Sequence, residues 1–111
     1  MGKISLAITG CMGRMGQQLI KSAVRDKSTK LVALTENRFI RKKIGGIKPE
    51  LNNEKSLSKA NVIIDFTTPK CTFEVLRIAV KLKKKVVIGT TGFTKKEEQL
   101  IKKFSRKIPI L

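Results

Sequence analysis

An α/β fold built on a doubly wound parallel sheet follows from three features of this sequence. Short, nearly continuous apolar runs at residues 4–9, 30–35, 61–66 and 86–88 have the character of strands covered on both faces. Amphipathic runs with helical spacing stand between them. The resulting order is strand, helix, strand, loop, strand, helix, strand, helix, strand, which calls for parallel strands joined by right-handed crossovers. At 111 residues the chain holds one domain, long enough to bury a core.

Ile4, Leu6 and Ile8, with Ala7 between them, form the first strand. Gly10, Gly13 and Gly16 follow, and Met15, Leu19, Ile20, Ala23 and Val24 recur at helical spacing, predicting a first helix with that face on the sheet. Residues 30–35 read as the second strand, ending at Glu36. Gly45-Gly46 and Pro49 punctuate residues 38–59, so a loop is expected there with one short helix at residues 56–59. The buried strand at 61–66 leads into Thr67-Thr68-Pro69, an N-cap and a first-turn proline, and then into a helix carrying Phe73, Leu76 and Val80 to about Lys83. Val86, Val87 and Ile88 form the next strand, which ends in Gly89-Thr90-Thr91-Gly92. Thr94 and Glu97 make a capping box for a last helix with Leu100, Ile101 and Phe104 as its apolar face, and residues 108–111 begin one more strand.

Strand, glycine loop and helix in succession build a phosphate cradle. The glycines bring backbone close to a ligand, and the helix aims free N–H groups and its positive dipole end at an anion. The Rossmann-like dinucleotide-binding pattern adds an acid about 20 positions further on, to accept from an adenosine ribose, and Glu36 stands there. A strict G-x-G-x-x-G would place glycine at positions 10, 12 and 15, whereas here they fall at 10, 13 and 16. The Gly10 loop, Glu36, the Thr67-Thr68 turn and the Gly89 turn all end strands, so they converge on the sheet edge where such folds bind ligands.

The chain carries 19 lysines and 6 arginines against 8 acids, a net charge of +17. That balance suggests nucleic acid first. Two features disfavour it: the excess is scattered lysine, and there is no Tyr or Trp, with five Phe not interleaved as a stacking platform requires. No apolar run is long enough to span a membrane, and Met1-Gly2-Lys3 does not begin a secretory signal, so a cytoplasmic protein is expected. With two cysteines, Cys11 and Cys71, no C-x-x-C and no histidine, a metal site is not expected and histidine catalysis has no candidate.

Gly10-x-x-Gly13-Arg14-Met15-Gly16, Ile64-Asp65-Phe66-Thr67-x-Pro69 and Val87-Ile88-Gly89-Thr90-Thr91-Gly92-Phe93 together resemble the 4-hydroxy-tetrahydrodipicolinate reductase (dihydrodipicolinate reductase) family, nicotinamide-dependent enzymes of the diaminopimelate route to lysine. The resemblance runs the length of the chain. It implies that Gly10, Cys11, Met12, Gly13, Arg14, Met15 and Gly16 wrap the pyrophosphate of NADPH or NADH. It also implies that Glu36 holds the adenosine ribose, and that Gly89, Thr90 and Thr91 line the nicotinamide pocket with Phe66 and Thr67 beside it. The family often has arginine directly after the ribose acid to meet a 2′-phosphate; here Asn37 intervenes and Arg38 follows.

The resemblance further implies a domain at residues 1–111 that stops short of the family's substrate domain, with its H-H-x-x-K-type motif, its substrate loop and its tetramer-forming sheet. No catalytic residue is therefore assigned among these 111, and the chain by itself is expected not to turn over. Plainer readings stand beside each assignment. Glu36 could be a solvated strand-end acid, Arg14 a surface charge, Thr90 and Thr91 turn residues, and Cys11 a small loop filler. Asp65 is expected to orient the adjacent turn. The alternatives in function are a non-catalytic nucleotide-binding module and a nonspecific basic nucleic-acid binder.

Overall fold

A computed structural model describes residues 3–111; Met1 and Gly2, on which the reading of the N-terminus partly rests, lie outside the described residues. The elements are β1 (Ile4–Thr9), α1 (Arg14–Arg25), β2 (Thr29–Glu36), β3 (Glu50–Leu51), α2 (Glu54–Leu57), β4 (Val62–Asp65), α3 (Pro69–Leu82), β5 (Lys85–Ile88) and α4 (Lys95–Ser105). The sheet is parallel throughout, in the order β3-β2-β1-β4-β5. Ile110 adds a parallel bridge to Val86, so the last residues begin a sixth strand beside β5. The chain winds outward from β1 and then returns to β1's other side, which opens a crevice between β1 and β4 at their carboxyl ends.

Alternation along the strands divides the core. Ile8 and Leu34 face α1 and meet Ile20 and Cys11. Ala7, Ala33, Ile63 and Val86 face the other way, onto Leu57 of α2 and Phe73, Val75, Leu76 and Ala79 of α3. The β1–β2 register slips after Leu6, which pairs with Leu31, while Ala7 pairs with Ala33. The extra residue is Val32, and this bulge lets Leu31 and Leu34 share the α1 face.

Three expectations are corrected. Residues 38–59 are not loop plus one helix: β3 pairs with Thr35 and Glu36, and α2 begins two residues before the expected 56–59. Asn53 starts it, its side chain accepting from the Ser56 N–H at 2.8 Å while Ser56 Oγ accepts from the Asn53 N–H at 3.2 Å. A two-residue strand has no periodicity to read. On α1, Met15 and Val24 are 50% and 58% exposed, and the buried face is Gly16, Ile20 and Ala23. Gly16 takes the contact position because the helix start lies against the glycine loop. The apolar face expected on α4 is only partly covered: Phe104 meets Phe73 at 6.3 Å between ring centroids, and Leu100 is exposed.

Helix termini match their sequence signals. Thr68 caps α3 with Pro69 in its first turn, Thr94 and Glu97 form the reciprocal cap of α4, and Lys83 closes α3 in the left-handed region at φ 57°. Among the described residues no helix is long and apolar enough to cross a membrane.

Leu76 is fully buried beneath the sheet, so Leu76→Ala is expected to cost about 2–5 kcal/mol in urea unfolding. Leu100→Ala should stay within about 0.5 kcal/mol. Equal losses would mean that α4 is buried as the helical pattern suggested.

Candidate functional site

Gly10 ends β1 at φ +68°. A Cβ there would run into the Phe66 carbonyl oxygen, and one on Gly16 would run into the Gly10 carbonyl. Both glycines therefore exist to let backbone meet backbone. Gly13 is different: a Cβ would find only the Gly10 oxygen, at 3.4 Å, and the residue faces open space as the N-cap of α1. Gly13 offers no side chain to cap the helix, so the first-turn N–H groups of Arg14, Met15 and Gly16 keep their capacity for an acceptor from outside.

Glu36, at the end of β2, reaches across to this loop. One carboxylate oxygen accepts from the Met12 N–H at 3.1 Å and the other from the Asn37 N–H at 3.0 Å. Each oxygen has a further lone pair to offer. The Gln17 amide donates to the Met12 carbonyl at 2.9 Å, and the Cys11 N–H donates to the Thr35 carbonyl at 3.2 Å.

Two cavities meet along the crevice. One, about 220 Å³, is lined by Gly10, Gly13, Glu36, Asn37 and Asn52 on one side and by Phe66, Thr67, Thr68 and Cys71 on the other. The second, about 440 Å³, is lined by Gly13, Arg14, Met15 and Gly16 opposite Phe66, Thr67, Gly89, Thr90 and Thr91. Gly13, Phe66 and Thr67 belong to both, so the two form one trough over the carboxyl ends of β2, β1, β4 and β5. Gly89 is required by the trough wall itself, since the Phe66 ring fills the place of its Cβ.

Beneath the trough lies Asp65, fully buried. Its Oδ1 accepts from the hydroxyls of Thr9 and Thr67, and its Oδ2 from those of Thr72 and Thr90. Its main-chain carbonyl accepts from the Gly89 N–H at 2.7 Å. The expectation that Asp65 orients the turn holds, and its reach is wider, since it ties four segments.

Most of the residues singled out in the sequence are thus drawn together: Gly10, Gly13, Arg14, Met15, Gly16, Glu36, Gly89, Thr90 and Thr91 all line the trough. Met12 touches it through Glu36. Cys11 is wholly buried behind the loop and lines neither cavity. Arg38 is exposed on the segment after β2 and also lines neither. Sequence reasoning overlooked Asn52, because β3 was not visible, and Thr9 and Thr72, whose only signal was a hydroxyl at a strand end and on the second turn of a helix. Among the described residues no group of His, Cys, Asp or Glu could hold a metal ion.

Residues 4–111 match a family model described as "Dihydrodipicolinate reductase, N-terminus". The curated 4-hydroxy-tetrahydrodipicolinate reductase of Pelagibacter ubique is 66% identical over 111 residues, which is all of this chain and 43% of that protein. Its counterpart in Bdellovibrio bacteriovorus is 35% identical over all of this chain and 44% of its own length. A solved dipicolinate-bound dihydrodipicolinate reductase from Paenisporosarcina sp. TG-14 superposes with a TM-score of 0.75 at 29% identity, covering 93% of this chain and 43% of that one. Homoserine dehydrogenase from S. aureus superposes at 0.80 with 14% identity, covering 99% of this chain and 32% of that one, a likeness of fold. The chain spans less than half the length of the curated relatives it matches.

Burial, and then the Glu36 carboxylate, push the Cys11 thiol from its ordinary 9.0 up to about 11. The folded state therefore holds the thiol proton more tightly than the unfolded chain. The contribution to stability is complete below pH 9 and is lost as pH rises through about 11. Between those values the thermal midpoint of the wild-type chain should fall more steeply than that of Cys11→Ala. Parallel profiles would contradict the burial.

Proposed function

Since the chain belongs to the dihydrodipicolinate reductase family, matching its N-terminal part, we propose that it is the nicotinamide-dinucleotide-binding domain of a 4-hydroxy-tetrahydrodipicolinate reductase. In the whole protein this domain would serve the NAD(P)H-dependent reduction of 4-hydroxy-tetrahydrodipicolinate to tetrahydrodipicolinate on the diaminopimelate route to lysine. The observation that carries the reading is the single trough in which an acid with free lone pairs, an uncapped helix N-terminus and a threonine-lined second cavity lie in that order.

The residues fit such a group. The adenosine half would lie beside Glu36, with the ribose hydroxyls donating to the carboxylate lone pairs left over by Met12 and Asn37. The pyrophosphate would lie over Gly13, taking N–H groups of the first turn of α1. The nicotinamide half would lie against Thr67, Gly89, Thr90 and Thr91. Bound there, the cofactor would supply a hydride, and the chain's own part would be to hold it along the trough through the residues just named. Arg38, one place beyond Asn37 and exposed, would be the partner for a 2′-phosphate, and Glu36 would serve the unmodified ribose. The high positive charge favours either anion.

Calorimetric titration with NADH and NADPH at two salt concentrations tests this. Both should saturate. Glu36→Ala should weaken NADH about tenfold, and Arg38→Ala should weaken NADPH alone by a similar factor. Salt-sensitive binding that ignores Glu36 and is matched by any polyanion would instead assign the site to the lysines. Gly13→Ala gives a separate check, because Gly13 lines both cavities and its Cβ would meet only the Gly10 oxygen, at 3.4 Å. It should weaken both cofactors while the thermal midpoint stays within about 3 °C, the shift expected for under 1 kcal/mol. Undiminished affinity would place the pyrophosphate elsewhere.

A further inference from the structure

We propose that Asp65 and Thr72 are positioning residues for the nicotinamide end of the trough, acting through Thr90 and the Thr67 N–H; the inference rests on the dinucleotide reading above. A carboxylate has four lone pairs to satisfy, and here four threonine hydroxyls, each with one proton, satisfy them. With its proton given to Asp65, the Thr90 hydroxyl can only turn a lone pair outward, and the Thr67 N–H donates to it at 2.8 Å. Thr72 donates from α3 to the same Asp65 oxygen as Thr90, so it fixes the carboxylate that orients the Thr90 hydroxyl, which lies 2.9 Å from its own. Thr67 and Thr90 line the larger cavity, whereas Asp65 and Thr72 line neither cavity and are fully buried. Two residues out of reach of any ligand thus set the facing walls of one half of the trough.

The glycine cradle does not depend on this network to the same degree. It is held separately by Glu36 on the Met12 N–H, by the Thr35 carbonyl on the Cys11 N–H, and by the Gly10 carbonyl on the Gly13 N–H at 3.0 Å. Thr9, the network's link to the cradle, has a second acceptor in the Ile64 carbonyl at 3.4 Å. The second acceptors of Thr90 and Thr67, the Asp65 carbonyl at 3.5 Å and the Thr68 carbonyl at 3.3 Å, lie within the turn that the network itself holds. Disturbing the network should therefore act on the nicotinamide half and spare the adenosine half.

ADP-ribose, which carries the adenosine and pyrophosphate but no nicotinamide, separates the two. Binding of NADH and of ADP-ribose would be measured for the wild-type chain, Thr72→Val and Thr72→Ser. Thr72→Val exchanges one buried hydroxyl for a methyl; Thr72→Ser keeps the hydroxyl. The expected result is that Thr72→Val weakens NADH about fivefold with ADP-ribose unchanged, and that Thr72→Ser retains both affinities. Asp65→Asn, which brings two donors to a place where four already point, should weaken NADH further; if it does not fold, the Thr72 pair decides. Equal weakening of both ligands, an NADH affinity untouched by Thr72→Val, or a loss shared by Thr72→Ser would overturn the inference. A wild-type chain that binds neither ligand would overturn the dinucleotide reading, and this inference with it.

Discussion

A buried carboxylate with no cation paired to it among the described residues must be satisfied by neutral donors, and Asp65 meets that requirement by drawing a hydroxyl from each of four places. Thr9 comes from the end of β1, Thr67 from the turn after β4, Thr72 from α3, and Thr90 from the turn after β5. Desolvating a carboxylate costs several kcal/mol, so the donors are held where the charge needs them. Neither surface ion pair, Lys59 with Glu50 or Lys81 with Glu54, involves Asp65, and both are half exposed and contribute little. The floor of the trough is consequently a point at which the crossing connections of the doubly wound sheet are tied together.

Phe66 does for the walls what Asp65 does for the floor. Its carbonyl occupies the space a Gly10 side chain would need, and its ring occupies the space a Gly89 side chain would need. Glycines from two separate motifs are thus demanded by one residue of a third motif. Only Gly13, among the cradle glycines, is left free of packing duty. In parallel α/β sheets the ligand crevice lies where connections diverge, and close approach of the flanking turns is what narrows it to the width of an extended ligand.

Lysine and arginine stand on every helix and on several loops, while the trough-lining turns at residues 10–13, 66–68 and 89–94 carry none. Their positive charge draws anions to the surface, and this long-range attraction is screened beyond about 10 Å at 0.1 M salt. On the dinucleotide reading proposed above, selection among anions would come from short-range features: the oriented N–H groups of α1 and the lone pairs of Glu36. An acid on a cationic protein works against the general attraction, and on that reading it would favour a ligand group that donates hydrogen bonds.

Much of this was legible in the residues. Strands β1, β2, β4 and β5 announce themselves because a strand covered on both faces must be apolar at consecutive positions. Helices α3 and α4 are marked by Thr68-Pro69 and by Thr94 with Glu97, since capping is a local interaction spanning three or four residues. The glycine loop and Glu36 were recognisable for the same reason, as was the family resemblance they carry with the later motifs. What the sequence could not contain was any pairing between distant positions. The two-residue β3, and with it Asn52, exists only because Glu36 stands beside Leu51 in the sheet. The exposure of Met15 and the burial of Gly16 were decided by the loop folding back onto α1. Thr9 and Thr72 are ordinary residues in their own segments and Thr90 is marked only by its turn, and only the convergence of β1, α3 and β5 on Asp65 gives their hydroxyls a common acceptor.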